Sequence, residues 1–328
     1  MRLIKHSLRL ICTSFLFFFI LFDCDNVYSQ SNRTEIPPIK NKQKEILVRC
    51  KVSYTISVPG RTRMVRLTVL IPESVPNIQN INRVDFSIKP VRYLFKNGYR
   101  YAEIMINEPK RVEKLEVNIL VSLSRYDLQT AMENKDKNQF QQTGLEEFLR
   151  EEKFIEKENS EITTIADSIT ATDEIEIIRN IYKYVIDNME YVIQGKKDRG
   201  AIYALRYKKG DCSEYSDLFV ALCRAKKIPA RVVNGISVQS DSKTAKHNWV
   251  EVYLKEYGWV PFDPSKGDIR YSVLKEKLFN TLEPVYIYFS HLRNDDLLQN
   301  YHYCAFTYYG DQISVTDSIE FEFPEDKN

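Results

Sequence analysis

Hydrophobic and polar positions divide the chain into stretches of different period. Arg2, Lys5 and Arg9 precede an apolar run from Leu10 to Phe22. That run is too short to cross a bilayer, and Val27 and Ser29 stand where small residues precede a cleavage point, so residues 1–29 read as a secretory signal peptide. Cys24 offers a second reading, a lipid anchor, against which Asp23 argues because such signals carry a small residue there. Residues 30–44 are polar, contain Pro37-Pro38 and read as a disordered lead-in.

From 45 to 125 the period is two. Ile46 to Val48, Val52 to Ser57, Val65 to Ile71, Val84 to Ile88, Tyr99 to Ile106 and Leu115 to Leu123 are β-branched or aromatic runs, separated by turn pairs such as Pro59-Gly60 and Asn97-Gly98. This predicts an antiparallel β-sandwich domain over 45–125. Its polar residues scatter as on a solvated sheet face, which reads as a packing or spacer module. Residues 126–144 are polar and read as a linker, leaving 145–328 as a second domain.

The period then becomes helical. Leu145 to Lys157 is charged and amphipathic, and Thr172-Asp173 caps a stronger helix with a stripe of Ile175, Ile178, Tyr182, Val185, Ile186 and Met189. The basic loop from Gly195 to Gly200 reads as solvated surface. Next comes KKGDCSEYSDLFVALCRAKKIPARVVNG, Lys208 to Gly235, where Tyr215, Leu218, Phe219, Leu222 and Ala225 keep helical spacing. Asp211 and Glu214 have the spacing of a capping box, which puts Cys212 in the first turn. There the helix dipole and unpaired amides favour a thiolate. A small buried hydrophobe is the competing reading of the same cysteine.

Lys246 to Leu254 alternates, with His247, Trp249, Glu251 and Tyr253 on one face and Asn248, Val250, Val252 and Leu254 on the other. Tyr257-Gly258 marks a turn into a strand from Trp259 to Asp263. If Leu254 opposes Gly258, Trp249 faces Asp263 and His247 is Asp263's diagonal neighbour, within reach of a carboxylate. This register requires an odd-length loop, or else a bulge, for which Pro261 is a suitable site. A thiol at a helix start, an imidazole and a carboxylate are then the parts of an activated-thiol triad.

Composition narrows the classes. The chain is 43% hydrophobic and 28% charged with a net charge of +2, so no basic excess points to nucleic acid. Of six cysteines, Cys12 and Cys24 fall in the signal segment, leaving Cys50, Cys212, Cys223 and Cys304 with no CxxC pair for structural zinc. In an oxidising compartment one arrangement is a Cys50–Cys304 disulfide with Cys223 buried; the pairing stays open. His291 reads as satisfied or at the surface, as does His302, whose neighbour Cys304 makes too small a donor set for a metal.

The segments GDCSEYSDLFVALCRAKKIPARVVNG, KHNWVEVYL and YGWVPFDPS resemble the core of the transglutaminase-like superfamily over about residues 173–270. The resemblance implies an α+β chain: an N-terminal antiparallel β-sandwich followed by a papain-like, transglutaminase-like domain of the bacterial exported type. By the same match Cys212 is the nucleophile, His247 the base and Asp263 the orienting acid. Tyr191 and Gln194 are candidates for an oxyanion donor beside the Cys212 amide, and Trp249 is expected to pack next to His247. No cofactor or metal is expected. The implied function is exported, periplasmic or secreted, cysteine acyl transfer on a peptide or protein amide, with hydrolysis favoured over cross-linking. The rival readings are a non-catalytic envelope module that keeps the fold for binding, and a glycan-releasing amidase.

Overall fold

A computed structural model describes residues 45–133, 144–193, 198–239, 245–268, 272–298 and 303–324. The signal segment with Cys24, the lead-in, Gln194 and His302 lie outside the described residues.

The first six strands are β1 (Glu45–Ser57), β2 (Thr62–Ile71), β3 (Gln79–Phe86), β4 (Arg92–Lys96), β5 (Tyr99–Asn107) and β6 (Val112–Ser124). They form two facing antiparallel sheets whose apolar alternate positions, such as Val48, Cys50, Val52 and Ile56 on β1 and Val65, Leu67 and Val69 on β2, are buried in one core. This is the sandwich that the period of two predicts.

The α/β half is built on helices α1 (Ser160–Ser168), α2 (Glu174–Asn188), α3 (Ala201–Tyr207) and α4 (Cys212–Ala225) and on strands β7 (Ala230–Ser237), β8 (Lys246–Leu254), β9 (Gly258–Phe262) and β10 (Tyr286–Ser290). The strands form an antiparallel sheet in the order β9-β8-β7-β10. Val232, Val250, Val252 and Leu254 face the core shared with α4, whereas Trp249, Tyr286 and Tyr288 belong to the sandwich core. The sheet is therefore covered on both faces, which explains why every residue of β8 after Lys246 is buried.

The chain then returns to its beginning. Strand β11 (Cys304–Gly310) pairs with β2 and β12 (Ser314–Glu322) with β1, giving the orders β11-β2-β5-β4 and β12-β1-β6-β3. Residues 304–322, placed by sequence with the second domain, thus complete the first. The physical reason is edge protection: without them the long strands β1 and β2 would present open edges. Further differences are local. The segment 126–144 opens not as free linker but with Tyr126–Asp127 paired to Thr281–Leu282, and Leu145 to Lys157 forms only a single 3₁₀ turn, Glu146–Leu149. Cys50, Cys212, Cys223 and Cys304 are all free and buried. Burial pushes the Cys50 thiol up to about 12 and raises that of Cys304 as well.

The two halves are also clasped by one side chain. Gln79 on β3 donates to the carbonyl of Tyr288 (3.0 Å) and accepts from its N–H (2.8 Å). An amide side chain here takes the place of a strand backbone.

Candidate active site

The Cys212 helix begins where its sequence says. Asp211 is the N-cap, accepting from Ser213 N–H at 3.0 Å, and Glu214 reaches back to Asp211 N–H at 3.1 Å, completing the capping box. Gly210 permits this closure, since a Cβ there would stand 2.3 Å from the Glu214 side chain. Burial and the nearby Asp211 charge push the Glu214 carboxyl up to about 7. The helix is packed on every side, with all residues from Cys212 to Arg224 buried. Asp217 in its second turn makes two bonds to Arg293, at 2.6 and 2.8 Å, and Arg293 also reaches Asp198 at 3.0 Å. The described end of the loop read as solvated surface, Asp198 to Gly200, is thus tied to this helix, and Arg199 N–H donates to Glu214.

The β8–β9 hairpin has the predicted register. Leu254 opposes Gly258 across a three-residue turn, and Val250 opposes Phe262 with no bulge; Pro261 simply pairs with Glu251. Asp263 follows β9 and caps a one-turn helix, Pro264–Gly267. His247 Nε2 and Asp263 Oδ2 are 2.7 Å apart, both buried. The other side of the imidazole meets Cys212, close enough for a hydrogen bond. Burial alone would lower the His247 pKa, but the Asp263 charge and the Cys212 thiol outweigh it and lift it to about 10. Burial would raise Asp263; the imidazolium brings it down to about 2. The carboxylate and the sulfur on either side thus both favour the protonated imidazole.

Sequence reasoning missed several neighbours. The Tyr286 hydroxyl donates to Asp263 Oδ2 at 2.7 Å, while Ser265 Oγ (2.8 Å) and Lys266 N–H (3.1 Å) donate to Oδ1. Together with the imidazole, four donors hold one carboxylate. Tyr182 of α2 donates to the Asp263 backbone carbonyl at 3.2 Å. On the sulfur side, Asn248 Oδ1 lies 3.9 Å from Cys212 Sγ and 3.3 Å from Ser213 Oγ. Its Nδ2 donates to Asn234 Oδ1 (2.6 Å), whose own Nδ2 donates to the Leu292 carbonyl (2.7 Å), so a relay of two amides fixes its orientation. The signal for Asn248 was present in the strand alternation, which put it on the helix side. Tyr286 sat in an aromatic run whose ordinary reading is packing.

Of the weaker candidates, Tyr191 is beside the site: its two-residue strand, Glu190–Tyr191, pairs in parallel with Lys209–Gly210, and its ring lies 6.0 Å from that of Tyr215. Its side remains exposed, at 44%. Burial of the phenol and then the Cys212 charge raise its pKa. Trp249 is fully buried and stacks on His247 at 6.0 Å, a packing role. Among the described residues no group of three or more His, Cys, Asp or Glu is placed to hold a metal.

Residues 163–264, from within α1 to the residue after Asp263, match the model of the transglutaminase-like superfamily. An uncharacterized protein YebA of Bacillus subtilis is 32% identical over 101 residues, 27% of this chain and 14% of that one. An uncharacterized protein of Haemophilus influenzae is 27% identical over 190 residues, 44% of this chain and 51% of its own. The chain thus spans about half, or less, of the relatives it matches. The crystal structure of a candidate cysteine protease from Cytophaga hutchinsonii superposes with a TM-score of 0.60 at 15% identity, covering 87% of this chain and 92% of that one. That likeness shows a shared fold across both halves.

Proposed function

We propose that the protein is an exported cysteine acyl-transfer enzyme acting on peptide or side-chain amides. The observation that carries this reading is the buried alignment of Cys212, His247 and Asp263, with the imidazole between its two partners. The Cys212 thiolate attacks the amide carbon, forming the C–S bond and moving charge to oxygen. The Cys212 backbone N–H at the helix start is one donor for that oxyanion, and the Tyr191 hydroxyl is the second. As the C–N bond breaks, the His247 imidazolium gives its proton to the departing amine. Neutral His247 then takes a proton from water, or from an amine, as that group attacks the thioester and restores the thiolate–imidazolium pair. Asp263 keeps Nε2 protonated and the ring in place. Water is the favoured acceptor, making the enzyme a peptidase or amidase.

Export is part of the reading on the strength of the Arg2 to Gln30 pattern. No helix among the described residues is long and apolar enough to cross a membrane. The test is mass spectrometry of an envelope-peptide library incubated with the mature protein and with Cys212→Ala. Masses consistent with cleavage identify a peptidase or amidase, and ammonia release with new amide bonds identifies a transglutaminase. Equal iodoacetamide labelling and equal turnover in the two proteins would defeat the assignment, and an unchanged library with an inert thiol would leave a binding module.

A further inference from the structure

Tyr303, 2% exposed, stands immediately before β11 enters the sandwich. Its two ends hold different halves of the molecule. The backbone carbonyl accepts from Leu70 N–H on β2 at 2.9 Å, so that end belongs to the sandwich. The ring packs on Phe289 of β10, centroids 4.4 Å apart, and the hydroxyl donates to the carbonyl of Gly235 on β7. Gly235 lies opposite His247. Two positions along the same ladder Ser237 N–H donates to Ala245 O, so the Gly235–His247 rung is of the hydrogen-bonded kind, with His247 N–H aimed at that same carbonyl. The Tyr303 hydroxyl therefore caps the rung that carries the base, and it feels the Cys212 charge and the His247 backbone N–H. Gly235 allows this close assembly: a Cβ there would stand 2.3 Å from the Trp249 ring and 2.2 Å from the Ile287 carbonyl.

We propose that Tyr303 is a positioning residue for the thiol–imidazole pair, a strut from the sandwich that fixes where the His247 strand end sits over Cys212. The assignment rests on Cys212 and His247 being the working pair. Chemistry of this kind tolerates little displacement, since a misplacement of about 1 Å can cost roughly 100-fold in rate. The groups that face the imidazole are Cys212 from α4, Asp263 beyond β9, Trp249 from its own strand and Tyr286 of β10, whose ring lies 5.9 Å from it and whose hydroxyl also holds Asp263. Tyr303 contributes no charge; it contributes place.

The test reads the thiol directly. Iodoacetamide alkylation of Cys212 in the full chain is followed from about pH 5 to about pH 10, with Cys212→Ala as background. Tyr303→Phe is expected to slow alkylation about tenfold near pH 6 and to approach the wild-type rate near pH 9, because a displaced imidazolium holds less thiolate at low pH. Tyr288→Phe, which removes a buried hydroxyl from the same interface that meets the Trp249 indole and not the Gly235–His247 rung, should follow the wild-type curve. Phe289→Leu, which loosens the seat of the Tyr303 ring, should move the curve the same way by less, and it reads the contact if Tyr303→Phe does not fold. A reactive wild-type thiol with superimposable curves for the folded variants overturns the strut while leaving the nucleophile intact. An inert wild-type thiol overturns the nucleophile and the strut together.

Discussion

The sheet of the α/β half carries two histidine–carboxylate pairs, and their imidazoles are pushed in opposite directions. His247 meets Asp263 at 2.7 Å, and His291 meets Glu251 at 3.0 Å. His247 is lifted to about 10; His291 is lowered by burial and by the adjacent Arg231, against the pull of Glu251. The difference lies in what else claims the partners. Arg231 holds Glu251 with two nitrogens, at 2.8 and 2.6 Å, so that carboxylate is already neutralised. Asp263 has no guanidinium; its other donors are two hydroxyls and a backbone amide. The second nitrogen of His247 meets a thiol, and that of His291 meets the Tyr99 hydroxyl at 2.8 Å. A carboxylate beside a histidine does not by itself make an imidazolium. It must also be free of a stronger cation.

The comparison breaks most completely at Asp263. Asp263→Asn should lower turnover by roughly 1,000-fold or more, since the ring loses its tautomer and orientation. The alkaline limb of its residual activity should move down towards the ordinary histidine range, because the largest raising influence is gone; a variant within tenfold of wild type with an unmoved limb would contradict the role. Arg231→Met attacks the other pair. Leaving Glu251 buried without its cation should cost about 3 kcal/mol of stability, read by denaturant unfolding. His291 should then titrate at higher pH by NMR, taking on the behaviour of His247. A His291 that stays neutral would show that Arg231 is not what separates the two pairs.

Tyr286→Phe is a smaller perturbation, removing one of four donors to Asp263. Loss of a charge-accepting hydrogen bond of about 1.5 kcal/mol predicts a roughly tenfold fall in kcat with KM nearly unchanged. The pH dependence of stability separates the two histidines as well. The raised pKa of His247 gives stabilisation that is complete below the unfolded value of about 6.5 and is lost as pH rises through about 10. The lowered pKa of His291 works the other way, its contribution being complete above about 6.5 and fading as pH falls through the folded value. His247→Gln should flatten the alkaline side of a plot of Tm against pH, and His291→Gln the acid side. Exchanged or identical slopes would refute the assigned directions.

Much of the site was legible because it is local. The capping box sets Cys212 at the helix start, strict alternation sets the face of His247, and an odd loop brings Asp263 to that face. Each signal lies within a few residues of the group it positions. What escaped reading is held from a distance. Cys50 faces Phe321 and Cys304 faces Val69, partnerships that leave no mark on either segment alone. Tyr286 and Tyr303 look like any other core aromatics until the sheet that carries them is assembled. The free cysteines follow the same rule: Cys50 and Cys304 fill positions on opposite sheets of one apolar core, where a thiol packs as a small hydrophobe.

The clasp at Gln79 reaches beyond the joining of two halves. Strand β10 is one margin of the four-stranded sheet, and Gln79 occupies both hydrogen-bonding groups of Tyr288 there. At the opposite margin Pro261 of β9 has no N–H to offer. A sheet grows by adding a strand to a free rim, whether that strand comes from a peptide, a second copy or a half-folded neighbour. Both rims of this one are interrupted, so the sheet that carries His247 keeps a fixed width. It is insulated from strand exchange even in a crowded compartment.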